Sequence, residues 1–422
     1  MSMEEGTVRV WARAAVLGVF CIVLTSQVFA ADAAAPAKVE PELVPDQALL
    51  AKIAALPDNT WLKLPPFKVT GELKWLSKRA DERRRGPFGR DYSNHAVWAP
   101  ERKRAIYMGG GHNVRPINDV WEYDLAANTW VCLRGADSRG RSVEWVRKNA
   151  MLKDGVLMTK TGAPIRLLHT WDQFAYDPVR RLALLVHSTP RNFPAVPGIH
   201  RGTLAKGLGL TPEQLEKQLV KDGIYVWGFD ATKRTWTSVE FMVNWKGPGN
   251  TIGGREEGAV LEYMPDQKTM WFCGYGGPLI RDAKTGTWKF GKVRRSVYAP
   301  IACYDSDTRQ VVIVRHDVTI VGSPDGSVWK VHKGMPAKGR DSTAALVYDT
   351  VAKRAVLFTR QTKPNLWLFD VAAEKWTDPK PRGDVPPAGS MIVYYDAARN
   401  VTVYYNSRSI WVYRCKRTEK QG

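Results

Sequence analysis

The sequence predicts an all-β fold, a propeller of six blades closed by an amino-terminal strand, and three observations carry that expectation. One hairpin signature, an aromatic residue near the end of a strand, then a polar turn and a new apolar strand, begins at Trp98, Tyr176, Tyr263, Tyr304, Tyr348 and Tyr395. A second signature closes the outer half of a repeat on tryptophan, at Trp130, Trp236, Trp288, Trp329 and Trp376. The sixth repeat lacks that ending, because the sequence runs out soon after Trp411, whereas Asn59-Thr60-Trp61 copies Asn128-Thr129-Trp130 near the start. Residues 60–64 therefore supply its missing fourth strand, which joins both ends of the chain and removes an exposed edge. Composition agrees: 17 Trp, 15 Tyr and 35 Gly suit many short strands and turns better than a helical bundle.

In chain order, residues 1–30 have Arg9 and Arg13, an apolar run from Ala14 to Leu24, and small residues at Ala30 and Ala31. This is the layout of a secretory signal cleaved near Ala30, so we expect an exported protein, periplasmic or extracellular, with no permanent membrane span after processing. Residues 31–58 read as an Ala/Pro/Glu-rich linker and a short helix from Gln47 to Ala55. The propeller is expected over 59–415 and a tail over 416–422. Lys74 to Arg90 carries five further basic residues and reads as an exposed connection. Two insertions interrupt the repeat. Residues 134–167 suggest a small extra hairpin, with a degenerate seventh blade as the alternative; residues 190–222 contain a helix capped by Thr211.

The repeat carries a glycine cluster, Gly109-Gly110-Gly111, the aromatic-Asp pairs Tyr123-Asp124 and Phe229-Asp230, and tryptophan after the following turn. These residues resemble the kelch-repeat proteins, a family that includes galactose oxidase and the sialic acid epimerases, over residues 59–414. The resemblance implies a propeller. It implies little about activity, because propellers host unrelated functions, and the later repeats lack the glycine pairs.

Charge narrows the partners. The net charge is +20, and the leader's two acids and two bases cancel, so the mature chain is as basic as the whole. For an exported protein this favours an acidic polysaccharide or other anionic glycan over nucleic acid. Cys132, Cys273, Cys303 and Cys415 remain after processing; none has C-x-x-C spacing, which leaves buried thiols and several disulfide pairings open.

In a propeller, the loops that enter the innermost strands and the loops that join second to third strands share one face. Six of the seven histidines fall in those loops: His95, His112, His169, His187, His200 and His316. With Tyr92, Trp171, Tyr275 and the arginines Arg115, Arg201, Arg255, Arg315, Arg360 and Arg408 they would form a mouth able to hold carboxylate or sulfate. We take Tyr92, His95, His112 and His169 as candidate catalytic groups and Arg115 with the remainder as binding groups. His187, His200 and Arg201 would belong to a covering insertion.

Three functions fit. The first is binding, with cleavage, of a uronate-containing glycan, which needs charge neutralisation, a base and an acid. The others are a non-catalytic interaction module of the cell envelope and a metal-dependent oxidase. No Tyr-His pair supports a galactose-oxidase-like copper site. Asp172, Glu256, Glu257, Asp317 and Asp341 lie near the mouth, but hydrolysis by two carboxylates is less supported, because sequence does not give their separation. Cofactor, metal and oligomeric state are left open.

Overall fold

The computed structural model describes residues 42–76, 86–87, 90, 93–110, 118–137, 142–165, 170–188, 200–219, 223–244, 258–274, 276–295, 297, 300–315, 317–334, 344–360, 365–387 and 389–417. The expected leader lies outside them. Six antiparallel sheets of four principal strands form the body. From the axis outward, blade 1 is Val97–Ala99, Arg104–Tyr107, Val120–Asp124 and Thr129–Arg134; blade 2 is Phe174–Asp177, Leu182–Ser188, Gly223–Asp230 and Thr235–Asn244. Blade 3 begins at Val260–Met264, blade 4 at Ile301–Asp305, blade 5 at Ala344–Asp349 and blade 6 at Ile392–Asp396. These inner strands touch their neighbours in a closed ring, blade 6 meeting blade 1. The fold is a six-bladed β-propeller, and the inner strands of blades 1 and 2 touch directly, with no seventh blade between them among the described residues.

Turn chemistry explains the repeated hairpin. The aspartate ending a strand accepts hydrogen bonds from the turn it enters: Asp177 Oδ1 from the Val179 and Arg180 amides at 2.9 and 3.1 Å, Asp349 Oδ1 from Val351 and Ala352 at 3.0 and 2.8 Å. The last turn residue is left-handed, at φ 56° for Arg181, 54° for Lys353 and 48° for Asn128, which tucks the returning strand into register. Where that residue is asparagine, a tyrosine hydroxyl donates to its Oδ1, as in Tyr123 to Asn128 at 2.8 Å and Tyr413 to Asn59 at 2.8 Å. The likeness of Asn59-Thr60-Trp61 to Asn128-Thr129-Trp130 is thus a shared turn.

The aromatic half of the signature joins neighbouring blades. Tyr176 of blade 2 donates to Glu101 in the first turn of blade 1. Tyr263 faces Asp177, Tyr304 faces Asp266, Tyr348 faces Asp305 and Tyr395 faces Asp349, each a blade behind. Burial in the first place, and these acids in the second, push every one of the five phenols up, Tyr304 to about 12. Blade 1 has Trp98 instead, which stacks on Tyr394 of blade 6 with ring centroids 6.1 Å apart.

Thr60–Lys63 pairs antiparallel with Ile410–Arg414 and closes blade 6 as expected. Its Trp61 is buried against Tyr413, Phe358 and Tyr404 at centroid distances of 5.0, 6.0 and 6.2 Å. Two blades have a fifth strand that the repeats did not suggest. Lys68–Gly71 runs parallel to the outer strand of blade 1, and Arg382–Gly383 parallel to that of blade 6. In both, the left-handed asparagine donates to a proline carbonyl of the arriving chain, Asn128 to Pro65 at 3.0 Å and Asn59 to Pro379 at 2.6 Å.

The two insertions build one satellite. Helix Val143–Asn149 and the hairpin Ala150–Lys153 with Val156–Thr159 come from the first; helices Arg201–Leu208 and Pro212–Gln218 come from the second. Val146, Leu157, Leu204 and Leu215 form a small core of their own. Thr211 caps the last helix with a reciprocal Thr211/Gln214 box. Gly207 allows the close approach, since a Cβ there would stand 2.4 Å from the Val146 Cβ.

The amino-terminal helix Gln47–Ala54 sets Leu49 and Ile53 into the core beside blade 1. One expectation needs correction: the basic run does not end on an exposed residue. Arg90 is 2 % exposed and pairs with Asp119 at 2.6 Å, because a buried guanidinium persists only with a carboxylate partner. Residues 77–85 of that run lie outside the described residues. The four cysteines are buried free thiols. No helix among the described residues is long and apolar enough to cross a membrane.

Candidate functional site

The mouth is organised by Asp172, at the start of blade 2's inner strand. Its residue is 2 % exposed, and it touches three other blades. The backbone carbonyl accepts from the Leu261 amide of blade 3 at 2.9 Å, and Oδ2 accepts from the Ala302 amide of blade 4 at 2.8 Å. Oδ1 lies 3.1 Å from Nδ1 of His95, at the start of blade 1. Trp171, just before it, is held at φ 46°, an uncommon backbone for an aromatic residue and one that turns the chain into the mouth.

His95 is placed with equal care. Its backbone bridges Val393 of blade 6, and the flanking bonds from Val393 N to Asn94 O and from Ala96 N to Val393 O measure 2.8 and 2.9 Å. The ring lies 5.9 Å from that of Phe174, and the side chain keeps 16 % of its surface exposed. Nδ1 is buried without a hydrogen bond, so the Asp172 carboxylate acts on the ring as a charge close beside it.

Below this pair stands Glu262, on the inner strand of blade 3. Its carboxyl is held well above the usual range, first by burial and then by the negative field of Asp172. Cys303 of blade 4 shares the spot, its thiol pushed up by burial and then by Glu262. Two carboxyl groups and a thiol from three neighbouring blades thus crowd one place on the axis, and a perturbed acid in such a place is a mark of a candidate site. Among the described residues, no three His, Cys, Asp or Glu side chains are arranged to hold a metal ion.

The glycines next to the mouth serve close packing. Gly109, at φ 114°, would put a Cβ 2.3 Å from Thr170 Oγ1 and 2.6 Å from Ser93 Oγ. One mouth arginine is a tie between blades. Arg360 Nη2 donates to Asn94 Oδ1 and, at 3.4 Å, to the Arg90 carbonyl; Asn94 in turn reaches the Ala344 carbonyl at 3.1 Å. Arg315 is half-buried where blade 4's second strand ends, and Arg408 is exposed in the corresponding loop of blade 6. His200 precedes the helix Arg201–Leu208 without capping it through its side chain, and Arg201 lies 3.6 Å from Glu216. Tyr92, His112, Arg115, His169, Arg255 and Tyr275 lie outside the described residues, as does the side chain of His187.

Glu262 escaped the sequence reading, yet a signal was there. Aligning the inner strands on their aromatic residue sets Glu262 level with Ala175, Cys303, Val347 and Tyr394. Only here does that position carry a charge. Asp172 was visible only as one of several carboxylates near the mouth, because its partners come from three other blades.

No protein-family model matches the chain, and no curated protein matches it. Among solved structures, the crystal structure of the mitotic checkpoint complex is similar at 8 % identity and a TM-score of 0.41, covering 93 % of this chain and 100 % of that one. The class is therefore set by the six sheets themselves: a β-propeller, an architecture suited to binding or interaction, with a polar mouth at one end of its axis.

Proposed function

We propose that the protein is an exported, kelch-type propeller whose mouth binds an acidic glycan, and that His95, held by Asp172, moves a proton in its cleavage. The observation that supports this reading best is the His95–Asp172 pair at 3.1 Å, at the head of the axis in a chain of net charge +20. A basic field draws in a polyanion, and an oriented imidazole is the group needed to take the proton beside a uronate carboxylate. We give the role of acid to Glu262, whose carboxyl is held above its usual range by burial and by Asp172. Such a site would act by elimination: the base takes the proton from the carbon next to the carboxylate, a double bond forms, and the leaving oxygen receives a proton.

The test is incubation of the purified protein with uronate-containing and sulfated polysaccharides at low and moderate salt. Retention together with new unsaturated ends is expected, and His95→Gln should abolish the new ends while keeping retention. Absence of both retention and new ends from every polysaccharide overturns the proposal. Retention with unchanged product formation in His95→Gln removes His95 from the chemistry.

A further inference from the structure

We infer that the outer edge of blade 4, strand Trp329–Lys333, is a docking edge for an extended acidic segment of a partner protein, which adds to the blade as a fifth strand. The edge repeats a socket that the chain itself fills twice. On blade 1 the guest strand begins with Lys68 N donating to the carbonyl of turn residue Asn128 at 3.0 Å and ends with Glu72 N donating to Cys132 O at 2.9 Å. On blade 6 Arg382 N donates to Asn59 O, again a turn residue, at 3.0 Å. In each host the outward-facing backbone groups belong to the tryptophan and the residue two further on.

Blade 4 offers the same groups. Ser323 N donates to Val328 O at 2.9 Å and Gly334 N to Asp317 O at 3.1 Å, and Val321 and Thr319 stand opposite Lys330 and His332. Because bonded and non-bonded pairs alternate along an antiparallel ladder, the N–H and C=O groups of Trp329, Val331 and Lys333 point away from the blade. The connection from blade 3 reaches the turn ahead of this edge, with Val293 N donating to Asp325 O at 3.1 Å, four residues before Trp329 where the two guests bond two residues before theirs. It then leaves the edge. Arg295 O accepts from Cys273 Sγ at 3.8 Å and Val297 N reaches Gly274 O at 3.3 Å, so this connection dives between blades. Among the described residues no strand pairs with the edge of blade 4.

The surface around the edge indicates the guest. Val331 and Val328 are 57 % and 46 % exposed; Lys333 is exposed on the same edge, while Lys330 reaches Glu374 of blade 5 at 2.6 Å. Lysine on an open edge opposes pairing with a second copy, where like charges would face each other. The exposed Lys333 favours an acidic strand, and the exposed valines favour one with apolar residues in alternation.

The probe is a synthetic ten-residue peptide of alternating Glu and Val, with a Lys/Val peptide as its control, read by fluorescence anisotropy and by amide hydrogen exchange. Binding of the Glu/Val peptide alone is expected, with new protection of the Val331 and Lys333 amides. Val331→Pro removes an outward N–H without costing an internal bond and should weaken binding at least tenfold, with the circular dichroism unchanged. Lys333→Glu should weaken the acidic peptide several-fold and admit the Lys/Val peptide. The inference fails if the peptide does not bind, if Val331→Pro binds as the parent does, or if the two amides are already protected in the free protein. It fails also if the free protein forms dimers that Val331→Pro abolishes, since a second copy is then the occupant.

Discussion

On one face of the propeller nearly every blade meets the same demand in the same way, whereas on the other hardly two blades agree. The uniform face holds the turns from first to second strand, where an aspartate caps its own turn and a tyrosine reaches the acid of the blade behind. The varied face holds the mouth, where Asp172 alone joins four blades and each neighbouring loop contributes something different. Repetition marks what closes the ring. Departure from repetition marks what the ring carries.

The largest test of that division lies in the closing strand. Replacing Trp61 by Ala removes a buried indole that packs on three aromatic rings, and should cost about 3–5 kcal/mol. Because this strand joins the two ends of the ring, the loss should appear as earlier unfolding of the whole propeller in denaturant. A change no larger than that of an exposed residue such as Lys63 would mean that blade 6 closes without it.

A smaller effect is expected from Tyr176→Phe, which strips one hydroxyl from the tyrosine ring and leaves Glu101 without that partner, costing about 1 kcal/mol. The ring also sets a pH response. Tyrosine in the unfolded chain releases its proton near pH 10, while these phenols hold theirs to higher pH, Tyr304 to about 12. Stability from the ring is therefore complete below about pH 10 and falls as the pH rises beyond it. Urea midpoints measured from pH 8 to 11.5 should show this fall, and it should be shallower in Tyr176→Phe.

The same division explains what could be read from the chain alone. Blade number, the hairpins and the closing strand were legible because each rests on local chemistry repeated within a few residues, such as Asn59 and Asn128 in equivalent left-handed turns. The two fifth strands were not, since Lys68–Gly71 and Arg382–Gly383 pair in parallel with strands whose pattern gives no sign of a guest. Ties of single side chains were not legible either: the sequence places Arg90 at the end of a basic run and Arg360 in a mouth loop, but only folding brings Asp119 and Asn94 to them.

Glu262 provides the smallest and most diagnostic test, because the repeat would place an apolar residue where it stands. Its folded carboxyl is raised by burial and by Asp172, while an unfolded glutamate titrates near pH 4.3. The folded state is thus favoured by Glu262 below about pH 4 and loses that contribution as the pH rises through the raised value. Glu262→Gln keeps the shape and removes the titration. At pH 4 it should melt with the parent, and by pH 8 it should melt higher, while any activity that needs the acid declines. Equal melting at both values would mean that Glu262 ionises freely, and the mouth would then have no neutral acid to set against the His95–Asp172 pair.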